Sequence, residues 1–285
     1  VAGSWSTGGA LNTGRGQMMA SGAGSQTAAL GAGGYKSGGA ANESEEYNGS
    51  TWSEGDNLNT ARYDTTGFGT QTAGVCVGGT GDTDATEEYN GTSWTAVTNL
   101  PTARVQAAGL GILTAGVIVG GNPSVAESYE YDGTNWTDGG DLNTGRRFIG
   151  TSGVLTAGIA VGGMTTVAVA NTETYNGSAW TEVGDLGTAR YGGAAFGTTG
   201  SAVHATGAIS PPGAVSALVE EYDGAAWTEV ANVSSARKKT PSSGSGTLST
   251  SAVIFGGNDP DYSTATEEWD QTSTINAGAW ASGGN

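Results

Sequence analysis

Six tryptophans in this chain are each followed ten residues later by an arginine: Trp5/Arg15, Trp52/Arg62, Trp94/Arg104, Trp136/Arg146, Trp180/Arg190 and Trp227/Arg237. Indole faces and guanidinium groups at one spacing could form an aromatic and cationic ring that binds anions, because Arg pairs bidentately with carboxylate and phosphate. Acidic residues recur just as regularly, however, beside a tyrosine or its equivalent: Glu45/Glu46, Glu87/Glu88, Glu130, Glu173, Glu220/Glu221 and Glu267/Glu268. An Arg held at a fixed place near carboxylates is expected to be an internal ion pair, one per unit. The Trp and Tyr are expected in the core, where large rings supply most of the buried area.

The groups that carry most enzyme chemistry are scarce. The sole histidine, His204, stands 24 residues after Trp180, and the sole cysteine, Cys76, stands 24 after Trp52. Ile118 and Ala160 occupy the same offset from Trp94 and Trp136. Both chemically capable residues therefore fall on one repeated strand position that is otherwise apolar. This pattern offers no Ser-His-Asp or Cys-His arrangement and no Cys/His zinc set. Paired carboxylates of the glycosidase kind remain formally open, but the acids mostly obey the repeat, whereas catalytic ones should break it. The chain is expected to be no enzyme and to carry no cofactor and no metal. Oxygen-rich loops around Asp82 and Asp84, or Asn258, Asp259 and Asp261, could conceivably take calcium. Neither completes an EF-hand loop, and solvated acidic loops are the expected reading.

Charge narrows the partners. With 27 acidic against 10 basic residues the formal charge is -17, which argues against nucleic acid and against an anionic membrane surface. No apolar run approaches the roughly 20 residues of a membrane helix, and no secretory signal is visible. One cysteine excludes an internal disulfide framework. The chain begins at Val1 rather than Met, which leaves open an earlier segment, missing or processed.

The spacing of the tryptophans, with gaps of 47, 42, 42, 44 and 47 residues and then 53 to a seventh, Trp280, marks an array of one supersecondary unit. The third unit shows its parts. Thr92 to Val97 carries Trp94; a linker leads to Arg104; Val105 to Gly111 and Ala115 to Val119 are small and apolar; Glu127 to Tyr131 completes the unit. Such short, partly β-branched or aromatic segments bounded by Gly, Asn, Asp or Pro read as strands, and no window carries a helical period. Four strands in roughly 45 residues, six times over, predict an all-β, six-bladed β-propeller with four antiparallel strands per blade. One domain is expected over 1–285, with repeats near 5–51, 52–93, 94–135, 136–179, 180–226 and 227–279. Asn48-Gly49, Asn90-Gly91, Asp132-Gly133, Asn176-Gly177 and Asp223-Gly224 share one position and predict two-residue type I′ hairpins.

The unit resembles the kelch repeat. An apolar strand ends in Gly-Gly (Gly33-Gly34, Gly78-Gly79, Gly120-Gly121, Gly162-Gly163, Gly256-Gly257; Thr206-Gly207 departs), then come Glu-x-Tyr, Trp and Leu-x-Thr-Ala-Arg. The idiom Tyr-Asn-Gly-Thr-Ser-Trp with Thr-Ala-Arg is similar to kelch-like proteins of tailed phages of aquatic bacteria. The kelch resemblance implies that the segment after each Arg lines the central axis and that the Trp strand is outermost. The phage resemblance implies a virion protein, a capsid decoration, tail or fibre component acting in assembly or host attachment. Its partners would be other virion proteins or copies of itself, and a cell-surface glycan or protein. A secreted or cell-surface lectin-like adhesin is the alternative, and a carbohydrate-active propeller enzyme a lesser one.

Variation concentrates in the loops after Gly-Gly. Propeller topology gathers them on one face with the Trp-to-Arg linkers, and repeat-specific insertions on one face often bind. The candidate binding residues there are Tyr35, Lys36, Asp82, Asp84, Asn122, Pro123, Met164, Pro211, Pro212, Asp259, Asp261 and Tyr262. At the ends, residues 1–9 and 278–285 compete for one place in the ring. The N-terminal segment is expected to complete the blade containing Gly256-Gly257 and Trp269, with Trp280 redundant and the irregular stretch Gln271 to Ala277 displacing the last strand. A spare strand would be a route to assembly.

Overall fold

The computed structural model describes residues 3–20, 22–81, 83–210, 213–244 and 248–271. They form six four-stranded antiparallel sheets and two small two-stranded hairpins, without a helix. The third blade is typical: Ala108–Ile112, Ala115–Val119, Ser128–Tyr131 and Trp136–Asp138 lie side by side in that order. The first strands of successive blades pack against one another, and at the closure Ser242–Gly244 meets Ala29–Ala32, so the first strand is innermost and the Trp strand outermost. The six sheets together make a β-propeller.

The inner strands are mostly Gly, Ala, Ser and Thr, because six of them converge near one axis. The Trp strands have room for indoles and use them to fill the wedge between blades. Within a blade, Tyr and Trp face each other directly in register with their rings in contact, as in Tyr131↔Trp136 with ring centroids 4.6 Å apart. Between blades, Trp52 meets Phe255 at 4.6 Å and donates its Nε1–H to Thr266 Oγ1 at 3.0 Å.

The repeat cut from Trp to Trp starts on the outer strand of one blade and supplies the three inner strands of the next. The sixth blade must therefore take its outer strand from the N-terminus. Ser4–Thr7 pairs antiparallel with Thr266–Asp270, setting Trp5 opposite Trp269, with the rings 5.1 Å apart. That blade orders as Ser242–Gly244, Ser251–Phe255, Thr266–Asp270, Ser4–Thr7. Trp280, the strand expected over 278–285 and nearly all of the 271–277 stretch lie outside the described residues.

The turns between Tyr and Trp are not two-residue type I′ hairpins. Four residues intervene, as the register Tyr47↔Trp52 shows. Gly49 has φ +90°, but Asn48 and Ser50 are not among the residues of positive φ. Asn48 supplies what a type I′ backbone would have supplied: its Oδ1 accepts the N–H groups of Ser50 and Thr51 at 2.9 Å each. Asn90, Asp132, Asn176 and Asp223 do the same. The Asx side chain thus caps the turn, and one positive φ, at Gly, suffices.

The diglycines have a steric cause. Gly78 and Gly79 have φ +63° and +116°, and Gly79 N–H donates to the carbonyl of Arg104 in the linker to the next blade at 2.8 Å. A Cβ on Gly78 would lie 2.2 Å from that carbonyl oxygen. At Thr206-Gly207 a threonine occupies the first place with φ +66°.

Candidate functional site at the axial mouth

The Trp/Arg pairs belong to the scaffold. The first Glu of each Glu-Glu-Tyr motif receives the Arg of its own blade: Arg15–Glu45 at 2.7 Å, Arg62–Glu87 at 2.9 Å, Arg146–Glu173 and Arg190–Glu220 at 2.8 Å, Arg237–Glu267 at 3.1 Å, all buried. The second oxygen of the same Glu accepts a backbone N–H from the linker, such as Asn12 on Glu45 at 2.7 Å and Asn143 on Glu173 at 2.7 Å. The third blade has Tyr129 at this place. Arg104 lies 5.4 Å over the Tyr129 ring and reaches Glu127 at 3.4 Å. Burial lowers the pKa of Arg146, Arg190 and Arg237, and the facing carboxylates oppose the shift.

The second Glu works between blades. It accepts the hydroxyl of the next blade's tyrosine: Tyr89 on Glu46 at 2.5 Å, Tyr131 on Glu88 at 2.6 Å, Tyr175 on Glu130, and Tyr47 on Glu268 at 2.6 Å across the closure. The exceptions follow from the residues. Thr174 stands where the fourth blade would offer Tyr222 a carboxylate, and Trp269 has no hydroxyl for Glu221.

His204 and Cys76 are buried in the fifth and second blades, three places apart in the ring. They cannot meet. His204 Nδ1 lies 3.0 Å from the Arg190 guanidinium, and burial, with that cation beside it, pushes its pKa well below the ordinary value. Burial raises the Cys76 thiol, which keeps it protonated and unreactive. Among the described residues no three His, Cys, Asp or Glu side chains converge to hold a metal.

Where the repeat breaks is immediately after each Arg. The next two residues are Gly16-Gln17, Tyr63-Asp64, Val105-Gln106, Arg147-Phe148, Tyr191-Gly192 and Lys238-Lys239. The second member always has positive φ: Gln17 +63°, Asp64 +52°, Gln106 +61°, Phe148 +53°, Gly192 +66° and Lys239 +55°. Left-handed backbone is costly for side chains other than glycine, yet five of these six carry one. In five of the six the conformation sets the N–H onto the carbonyl of the preceding blade's counterpart. Gln106 donates to Asp64 at 3.0 Å, Phe148 to Gln106 at 3.0 Å, Gly192 to Phe148 at 2.8 Å, and Lys239 to Gly192 at 2.6 Å. These bonds draw six residues of five kinds into a collar around the axis, over a cavity of about 140 Å³.

The first member joins the collar to the loops. Gly16, Arg147, Tyr191 and Lys238 exchange backbone hydrogen bonds with Tyr35, Met164, Ala208 and Asn258, the residues after the diglycines. The variable loops and the collar are therefore one surface. Tyr35 meets Tyr63 at 4.7 Å and Tyr262 at 5.4 Å. Opposite them, Phe148 and Tyr191 lie 5.9 Å apart; Lys239 and Arg147 stand 4.7 and 5.9 Å over Phe148, and Lys238 6.0 Å over Tyr191.

No family model matches this sequence, and no curated protein matches it. The geometry alone must locate the site.

Of the residues expected to bind, the structure brings Tyr35, Asn122, Met164 and Tyr262 to this mouth. Asn122 Oδ1 accepts a hydrogen bond from Arg147, and Pro123 follows it through a cis peptide bond. Lys36, in the hairpin Tyr35–Lys36/Gly39–Ala40, is paired with Glu43. Asp84 holds the linker, accepting from Asn99 at 3.2 Å. Asp259 and Asp261 are exposed on the sixth loop, their backbones bonded to each other. Asp82, Pro211 and Pro212 lie outside the described residues. Gln17, Tyr63, Asp64, Gln106, Arg147, Phe148, Tyr191, Lys238 and Lys239 escaped the sequence reading. Their signal was available: a pair of adjacent residues that no two units share, next to an Arg that never changes.

Proposed function

We propose that this chain is a non-catalytic, kelch-type binding propeller of a phage particle, which recognises its partner through the loop face around the axial mouth. The observation that carries the reading is the division of the repeat. The buried Arg–Glu, Tyr–Glu and Trp contacts recur with few exceptions, while chemical variety is gathered at the collar and the diglycine loops. A scaffold that repeats its supports and varies one face is built for recognition. Burial of His204 and Cys76 in opposed blades supports the non-catalytic part. The phage resemblance of the Tyr-Asn-Gly and Thr-Ala-Arg idiom supports a place on the virion, acting in attachment to the host surface or to neighbouring virion proteins.

Immunogold labelling of purified particles tests the location: gold on capsid or tail supports it, and label confined to the lysate overturns it. Retention of the labelled chain on bacterial envelopes tests the face. Replacing the 35–40 and 258–264 loops with Gly-Ser segments should abolish retention; unchanged retention would contradict the face assignment.

A further inference from the structure

Six of the ten basic residues are consumed by the blade ion pairs, and Lys36 by Glu43. The remaining three, Arg147, Lys238 and Lys239, all stand at one side of the axial mouth, around the Phe148 and Tyr191 rings. Among the described residues only Lys239 has a carboxylate partner, Asp64 at 3.4 Å. Arg147 donates to the neutral Asn122 amide, and its buried Nε has no partner. In a chain with 27 acidic residues, three cations sharing one carboxylate is a local inversion of charge. The three oppose one another: burial first, then Lys238 and Arg147, lower the pKa of Lys239, against the pull of Asp64. Such a cluster is unfavourable alone and becomes favourable when an anion joins it.

The rest of the mouth describes what the anion is attached to. Phe148 and Tyr191 are partly exposed and give aromatic faces beside the cations. Gln17, Gln106, Thr151 and Ser242 line the axial cavity and are partly exposed. Polar side chains that border a cavity offer donors and acceptors to hydroxyl or amide groups of a ligand. An anion, a ring face and several hydroxyls together are an acidic sugar. A multiply charged phosphate or heavily sulfated ligand suits the mouth less, because the formal charge of -17 repels it, while a local cluster acts within the Debye length of about 8 Å.

We propose that the axial mouth binds a carboxylate-bearing saccharide, its carboxylate held by Arg147 and Lys238 beside Lys239 and its ring against Phe148 and Tyr191. This rests on the binding-propeller reading and names the ligand class for it. The test is isothermal titration of the whole chain with galacturonate, mannuronate and sialyllactose, each bearing one carboxylate, alongside neutral galactotriose and a sulfated trisaccharide. At least one carboxylated saccharide should bind and galactotriose should not. Arg147→Gln and Lys238→Gln should each weaken binding at least about tenfold, the loss of one charge-assisted contact, while circular dichroism and Tm stay at parental values. Binding that survives both substitutions overturns the proposal, as does a sulfated ligand binding more tightly than every carboxylated one. So does the absence of carboxylate binding. If none binds but the chain is still retained on envelopes through its loops, the saccharide inference fails and the binding reading stands; if neither occurs, both fail.

Discussion

Among the residues that break their repeat position inside the scaffold, Thr206 and His204 each have a measurable consequence. Thr206 holds a φ of +66° where the other blades have glycine, and its hydroxyl is buried without a partner. Left-handed backbone costs a β-branched residue about 1–2 kcal/mol and glycine's unfolded-state entropy offsets about 0.4–1 kcal/mol of it, so Thr206→Gly should raise stability by about 0.5–1 kcal/mol in a denaturant melt; a loss would refute the strain argument. His204 is neutral in the fold because burial and Arg190 push its pKa well below 6.5. The native state then binds fewer protons than the unfolded chain. The stability this contributes is complete above the unfolded pKa near 6.5 and is lost as pH falls from there toward the depressed value. The parent should lose stability between pH 7 and 5, and His204→Ala, which copies Ala160, should lose distinctly less. Parallel curves would show that His204 is not the titrating group. His204 was legible in the sequence as an internal substitution because its offset from Trp180 equals that of Cys76 from Trp52. Its contact with Arg190 was not, since no spacing reports which buried groups touch.

At the scale of elements, the Glu-Glu-Tyr strand has two jobs on its two faces. Because a strand alternates its sides, Glu87 turns inward to Arg62 while its neighbour Glu88 reaches Tyr131 in the following blade. Sequence spacing exposed the Arg–Glu association within a unit, but the Tyr–Glu link crosses units at a separation that no local motif records. Burial, and after it the Glu268 hydrogen bond, pushes Tyr47 up to about 12, and Tyr175 likewise rises to about 12, burial again leading and Glu130 next. A raised phenol pKa means the neutral form is favoured in the fold, so stability is intact below the unfolded pKa near 10 and declines as pH rises from there toward 12. Blade separation should therefore begin above pH 10, followed by Trp fluorescence; a flat profile to pH 12 would contradict the link. Glu88→Gln, which keeps an acceptor but removes its charge, should cost about 1 kcal/mol, discounted for partial exposure, or about 2–4 °C in Tm. The hairpin turns were legible in position but not in type: Asn-Gly suggested a backbone solution, and the Asx side chain supplies it instead.

At the scale of the whole molecule, the ring is closed by Ser4–Thr7, which carries Trp5 onto Trp269 and fills the outer place of the sixth blade. Removing residues 1–7 from this chain should expose the edge of Thr266–Asp270 and lower Tm by several degrees, with self-association in sedimentation as the exposed edge seeks a partner; an unchanged melt would mean the closure is dispensable. The blade count, the strand order and this closure follow from the Trp period and its offset frame. The mouth does not, because its residues adjoin only after six units meet around an axis, and the sequence shows them merely as unlike pairs following like arginines. The central claim is that the residues obeying the repeat hold the propeller and the unlike residues at the mouth bind. A thermal-shift comparison of the parent, Glu88→Gln and the double variant Arg147→Gln/Lys238→Gln tests it directly. Each is melted with and without the tightest of the three carboxylated saccharides. The account predicts that ligand raises the parental Tm, that Glu88→Gln starts lower but gains the same increment, and that the double variant starts at the parental Tm and gains none. A double variant stabilised as much as the parent would contradict it.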